Sequence, residues 1–275
     1  MTHAPAAARA LLVSVLSVTA LLTTAGCMAD GRDVPRPLPE GVSQPPPPPE
    51  SPTATTSAAA SASERPAAPS PPALSEAQLR EALITDTDLG EPWMTSRGAA
   101  TWRDGLLKAT TGHADCRRLL DVLYTEELFG PPAGPRATAT LDDTYNDAQL
   151  RYQVAAYRPA DVDRVLNWLG TLPETCERFE ATTTRAGTQL VEVTRLPLPE
   201  AGDARAGLRL RMTGKASDGV PTALTVDLAA VRVGEDTLTL TNGGFGAVLP
   251  EVTQAVTQLG ADRLAEIGRQ GRVRV

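Results

Sequence analysis

All ten aromatic residues of the 275-residue chain lie between Trp93 and Phe245, and residues 28–73, crowded with Pro, Ala, Ser and Thr, have none. A stretch of that composition cannot bury enough apolar surface to offset the entropy of ordering it. Burial must therefore begin near Leu74. Roughly 200 residues remain, enough for one core and one domain.

The first residues read as an address. Arg9 supplies one positive charge, and Ala10 to Leu22 form an apolar stretch of signal-peptide length, too short for a comfortable membrane span. The stretch ends in Thr24-Ala25-Gly26-Cys27, which resembles the lipobox of bacterial lipoproteins, with Thr24 where that motif most often has Leu. The resemblance implies that Cys27 is lipidated on sulfur and becomes the mature N-terminus. A diacylglyceryl group buries two acyl chains at about 0.8 kcal/mol per CH₂, which makes such an anchor effectively permanent. The competing reading is an ordinary cleaved signal that leaves Cys27 as a free thiol.

The expected organisation is a signal peptide over 1–26, a lipidated cysteine and tether over 27–73, and one domain over 74–275. The Pro45 to Pro49 run reads as a polyproline-like spacer and Thr53 to Ala62 as a flexible one. The expected location is the outer face of the cytoplasmic membrane, with the membrane itself a partner through the lipid.

Charge narrows the other partners. Of the 26 basic and 33 acidic residues, 4 and 5 precede Leu74, leaving the domain with 22 against 28, a net charge of −6. An acidic domain does not attract phosphate backbones, so nucleic acid is not an expected partner.

Local signals give the elements. Ser75 is placed as a helix N-cap, Gln78 completes a capping box, and Leu74 can staple onto Leu79. A second helix follows from the i, i+3, i+4, i+7 stripe Cys116, Leu119, Leu120 and Leu123. Arg136 to Tyr145 and Leu150 to Tyr157 alternate as a hairpin turning at Asn146-Asp147. A third helix starts at Pro159, buries Val162, Val165, Leu166 and Leu169, and is expected to stop at Gly170 and Pro173. Five period-two segments then run from Arg178 to Thr241, the pattern of an antiparallel meander. A final helix from Pro250 to about Ile267, aligning Val252, Val256 and Leu259, is expected to cover one face of the sheet. The predicted fold class is α+β: an antiparallel sheet, hairpin plus meander, covered on one face by helices.

An exported protein keeps disulfides, and with Cys27 lipidated the remaining cysteines pair as Cys116–Cys176. Closing a loop of about 60 residues stabilises by about 4 kcal/mol on the chain-entropy estimate. A reactive Cys116 working with His113 is the competing reading, and the position of Cys116 on a leucine stripe argues against it.

The order of segments resembles a known family. Asp88-Leu89-Gly90-Glu91-Pro92-Trp93 closes the early helical region, Tyr157-Arg158-Pro159-Ala160 leads through a helix to Cys176, and Ala230-Val231-Arg232-Val233-Gly234 precedes a Thr/Leu strand and the terminal helix. Over about residues 75–270 this resembles the PknH-like extracellular sensor domains of actinobacteria, found on receptor-type kinases and on lipoproteins. The resemblance implies an α+β fold with a cleft between sheet and helices that takes an extracellular ligand. The kinase sensor has two disulfides where this chain can form one. Signalling would need a separate partner.

Catalytic patterns are poor. Signal cleavage would remove His3 and leave His113 as the only histidine, so two-histidine metal sets are excluded. Ser217, in Lys215-Ala216-Ser217-Asp218-Gly219, reads as a turn and not a nucleophile elbow. The neighbouring carboxylates Asp142-Asp143 and Glu126-Glu127 are expected to point apart rather than to converge on one bond. Asn242-Gly243-Gly244-Phe245-Gly246 lacks the spacing and lysine of a phosphate loop, its glycines reading as a strand-to-helix turn and Phe245 as core. No catalytic residue, metal or cofactor is therefore assigned.

The candidate ligand residues are Arg205, Arg209 and Arg211, which share the side of one strand opposite Leu208, Leu210 and Met212. Their bland reading is a solvated sheet face held by charge pairs with residues such as Asp227 and Glu192. The functional expectation is a lipid-anchored, non-enzymatic domain that binds a small ligand or an envelope protein, in sensing. The alternatives are an envelope hydrolase with an irregular site and an accessory docking protein.

Overall fold

A computed structural model describes residues 73–273. The expected signal peptide, Cys27 and the tether up to residue 72 lie outside the described residues. The capping box is present: Gln78 N–H donates to Ser75 Oγ, and Ser75 N–H donates to Gln78 Oε1 at 3.0 Å. It opens α1 (Glu76–Glu81), with Leu74 and Leu79 buried in one cluster.

After α2 (Asp86–Leu89) and β1 (Trp93–Thr95) comes a single π-helical turn, Arg103–Leu107, and then β2 (Ala109–Thr110). The leucine stripe forms α3 (Ala114–Thr125), with Cys116, Leu119, Leu120 and Leu123 buried. The hairpin is β3 (Arg136–Asp143) and β4 (Ala148–Ala156), Asp143 pairing with Ala148. Its turn is held by Asp143, whose carboxylate accepts from the backbone N–H groups of Tyr145 and Asn146, both at 3.0 Å. Helix α4 (Pro159–Thr175) leads into the meander β5 (Arg178–Thr183), β6 (Gly187–Arg195), β7 (Ala204–Lys215), β8 (Pro221–Val233) and β9 (Asp236–Gly244), and α5 (Pro250–Val273) closes the domain.

Among the described residues nine strands form one antiparallel sheet in the order β1-β3-β4-β9-β8-β7-β6-β5-β2. The last strand of the meander returns to pair with β4, so hairpin and meander share a ladder. The α+β class and the antiparallel hairpin-plus-meander sheet stand.

The helices divide between the two faces instead of covering one. Strand β8 explains why: Leu224, Val226, Leu228 and Ala230 join the cluster under α3 and α4, whereas Ala229 and Val231 join the cluster under α1 and α5. A central strand buried on both faces loses apolar–polar alternation, and only a layer on each side can use it.

Two helix details depart from expectation. Helix α4 runs through Gly170 and Pro173 to Thr175, because Gly170 keeps a helical backbone and Leu172 and Cys176 are buried. In α5, Leu259 is exposed, and the buried stripe is Thr253, Val256, Thr257, Gly260, Ala261, Leu264 and Ile267. Its small members let the helix approach the sheet closely, which carries Leu259 off the contact line.

The glycines after Asn242 also act differently. Gly243 and Gly244 continue β9 without positive φ, and they are glycines because of close approach. A Cβ on Gly243 would lie 3.0 Å from the Trp102 ring, and one on Gly244 would lie 2.3 Å from the carbonyl oxygen of Asp147. Phe245 is exposed, not core. Among the described residues no helix is long and apolar enough to cross a membrane.

Candidate functional site

The α3/α4 face of the sheet changes character along its width. Over β6 to β8 it is apolar and tightly covered. Over β3, β4 and β9 the residues of the same face are Thr140, Gln149, Arg151, Gln153, Thr239 and Thr241, as the strand registers require. Apolar packing cannot close over such a surface, and a cleft remains between it and the C-terminal end of α3.

The second wall is the segment 96–107, fastened at two points. Gln149 holds it by hydrogen bonds: Nε2 donates to Ser96 Oγ and the Gly98 carbonyl, each at 3.0 Å, and Oε1 accepts from Ala100 N–H at 3.0 Å. Trp102 packs against the buried cluster beside Gly243, whose missing side chain gives the indole its place. The π-helical turn that follows directs Arg103 into the cleft. Such turns are rare and recur at functional positions.

At the centre lies Glu126. It ends α3 in the left-handed conformation, with φ 58° and ψ 27°, a backbone state that costs a residue with a Cβ about 1 kcal/mol. Two guanidiniums converge on its carboxylate: Arg103 on Oε1, and Arg151 Nε on Oε2 at 2.7 Å. Its side chain is only 16% exposed, so these pairs are much less screened than surface ion pairs. Glu127, its neighbour, is exposed, so the two carboxylates do point apart.

Two arginines to one carboxylate leave the centre with excess positive charge. Burial pushes the Arg151 guanidinium below its usual range; the Glu126 carboxylate opposes that, and the like charges of Arg103 and Arg136 add to it. A positive group held against like charges in a half-buried site is one whose charge an anion would relieve.

Two cavities meet at this pair. A polar one of about 350 Å³ is lined by Ser96, Arg97, Gly98, Arg103, Thr140 and Gln149, together with Glu126 and Arg151. A narrow, mostly apolar crevice with about 20 Å³ of free space runs from the same two side chains between Val122, Leu123, Leu128 and Leu228. The polar cavity is of small-molecule size, whereas the apolar crevice has room for about one water.

The candidate arginines of β7 occupy the opposite face and do not converge on one site. Arg209 donates from Nε to Asp227 Oδ1 at 2.6 Å, and from Nη2 both to Asp227 Oδ2 and to the Val248 carbonyl at 2.9 Å. Asp227 is fully buried and also accepts from Thr253 Oγ1 at 2.9 Å, so Arg209 is built into the seat of α5. Arg205 pairs with exposed Glu200, and Arg211 is exposed.

Cys116 and Cys176 are joined, with S–S 2.08 Å and Cα–Cα 5.6 Å, tying α3 to the end of α4. His113 Nδ1 lies 3.3 Å from Cys116 Sγ. Sulfurs committed to a disulfide are neither nucleophilic thiolates nor metal ligands, so the proximity of His113 and the two sulfurs supports neither chemistry.

Sequence reasoning passes over Arg103, Gln149 and Arg151, and considers Glu126 only as a carboxylate that points away from Glu127. Arg151 and Gln149 occupy the polar positions of an alternating strand, which read as solvated until β4 is known to be central. The segment 96–107 carries no periodic signal. A usable clue is Glu126 itself, the residue directly after the last turn of a leucine-striped helix that has no glycine to end it.

No family model matches the sequence, and neither does any curated protein. Among solved structures, the extracellular domain of PknH from Mycobacterium tuberculosis is similar with a TM-score of 0.39 and 11% identity, over 73% of this chain and 99% of that one. A point mutant of the protein Mog1 aligns with a TM-score of 0.23 and 9% identity, over 50% of this chain and 77% of its own. The Saccharomyces cerevisiae Ran-binding protein Mog1p aligns with the same score and identity, over 50% and 76%. Likenesses this distant carry no argument about function.

Proposed function

We propose that this is a lipid-anchored, non-enzymatic binding domain that holds a small anionic ligand in the cleft between Arg103, Arg151 and the polar face of β3, β4 and β9. The observation that carries the reading is the convergence of two guanidiniums on a single mostly buried carboxylate at the wall of a polar cavity of about 350 Å³. The centre holds two guanidiniums to one carboxylate, and both face the polar cavity.

Binding is favoured over catalysis because the cleft offers cations and amides and no paired nucleophile and base. The lipobox-like Thr24-Ala25-Gly26-Cys27 and the Cys116–Cys176 disulfide support an extracytoplasmic address. Sensing for an envelope partner is the role such a tethered domain would serve.

Native mass spectrometry of the full chain purified from its own envelope tests the reading. Added mass that is retained by the wild type and absent from Arg151→Gln is the expected result. Equal occupancy in the two proteins, or a bare wild type, would overturn it.

A further inference from the structure

Two further cavities join beside Tyr157. One, with about 210 Å³ of free space, is walled by Ala73, Ala133, Ala156, Tyr157 and Arg158, so it opens where the chain enters the domain. The other, with about 480 Å³, shares Ala133, Tyr157 and Arg158 and continues over Leu128, Phe129 and Val165 to Arg118 and Arg164. The ring centroids of Phe129 and Tyr157 lie 5.2 Å apart. Together they form one groove that begins at Ala73, with an aromatic and aliphatic floor and guanidiniums on its rim.

The rim is rich in donors. Asp161, the one carboxylate in the larger cavity, binds Arg158 Nη2 at 2.6 Å and Arg164 Nη2 at 2.9 Å. A guanidinium carries five N–H groups, so each of these arginines keeps others to offer.

The chain that leads into this groove reads Pro66-Ala67-Ala68-Pro69-Ser70-Pro71-Pro72. Pro66, Pro69 and Pro72 recur at every third residue, the period of a polyproline II helix, so they would share one edge of it. That helix has no internal hydrogen bonds, which leaves its carbonyls open to donors, and aromatic-lined grooves are the surfaces that receive it. Seven such residues extend about 22 Å. This is ample to cross Tyr157 and Phe129, since Ala73 and Tyr157 wall one small cavity and the two rings are neighbours. Covalent attachment at Ala73 gives the segment an effective concentration on the order of millimolar, so even weak affinity fills the groove.

We propose that the chain's own segment 66–72 lies in this groove as a polyproline II strand, its pyrrolidine rings on Tyr157 and Phe129 and its carbonyls toward Arg158 and Arg164. Docking extends the domain to Pro66 and fixes the direction in which the tether departs. The inference is independent of the anion assigned to the cleft.

Nuclear-spin relaxation of the backbone amides of Ala67, Ala68 and Ser70 in the full chain tests it, with wild type, Ala133→Arg and Pro66→Gly/Pro69→Gly compared. Ala133 is exposed and walls both cavities, so arginine there obstructs the groove from the surface. Circular dichroism and intact disulfide mass verify the fold of both variants. Order parameters above about 0.7 in the wild type that fall below about 0.6 in both variants are the expected result. A synthetic peptide of sequence 64–73 should in turn bind Pro66→Gly/Pro69→Gly at least about tenfold more tightly than the wild type, whose groove is already filled. Low order parameters in the wild type, or equal binding of the peptide by the two proteins, would overturn the proposal. High values unchanged in Ala133→Arg would place the segment elsewhere and overturn it too. Order that disappears on dilution would make the occupant the tether of a second copy and overturn the intramolecular assignment.

Discussion

Gly260 of α5 lies directly on the ring of Tyr152 of β4: a Cβ at position 260 would fall 2.5 Å from the phenolic oxygen. The ring is fully buried, and its hydroxyl finds no hydrogen-bond partner. Burial accordingly pushes the phenol well above its ordinary range. Gly260→Ala must therefore separate helix from sheet, at about 1–3 kcal/mol. Tyr152→Phe removes an unsatisfied oxygen and should be neutral or stabilising by up to about 1 kcal/mol. Urea denaturation of both variants distinguishes them, and a loss of stability in Tyr152→Phe would mean that the hydroxyl has a partner.

Arg209→Ala is expected to unseat α5 rather than to weaken any ligand. It strands a fully buried Asp227, and breaking one side of such a pair costs about 3–5 kcal/mol. Replacing both partners together should recover part of that loss. Thermal melts of Arg209→Ala, Asp227→Asn and the double variant supply the cycle, and a single-variant loss below about 1 kcal/mol would contradict the assignment.

Asp236 is the first residue of β9, and its carboxylate accepts from Leu74 N–H, the point at which the chain enters the domain. Burial raises its pKa from 3.8 to about 6, with the charge of Glu235 adding to that and the Leu74 hydrogen bond opposing it. A carboxyl whose folded pKa exceeds its unfolded one favours folding while protonated, so this contribution is largest below about pH 4 and is lost as pH rises through about 6. Asp236→Asn keeps an acceptor for Leu74 and removes the titration. It should flatten stability between about pH 4 and 6 and gain about 1–2 kcal/mol at about pH 7. Equal slopes in the two proteins would place the titration elsewhere.

The Cys116–Cys176 bridge closes 60 residues that include α3, the hairpin and α4. Cys116→Ala/Cys176→Ala should lose about 4 kcal/mol. Because α3 ends in Glu126, the same variant should also loosen the charged centre. Hydrogen exchange across 114–130 measures that loosening, and unchanged protection there would confine the bridge to global stability.

How far the sequence reveals this molecule depends on how local each signal is. The capping box at Ser75 and Gln78, the stripe of α3 and the boundaries of the meander are set by neighbouring residues, and they are readable. Which face a strand buries is set by distant partners. Arg151 and Arg209 occupy equivalent polar positions on alternating strands, yet one lines a cleft and the other anchors a helix. The pairing of β9 with β4 makes that difference, bringing together residues far apart in the chain, such as Arg151 and Thr241. The glycines of β9 likewise read as a turn in the sequence because the objects they avoid, Trp102 and the hairpin backbone, belong to other segments.

The central claim is that Arg151 and Arg103 hold an anion in the cleft. Calorimetric titration of inorganic phosphate into the wild type and Arg151→Gln, repeated at rising salt, tests it most directly. Saturable binding by the wild type that weakens at least about tenfold in Arg151→Gln and falls with ionic strength is the predicted result. Equal affinity in the two proteins would contradict it.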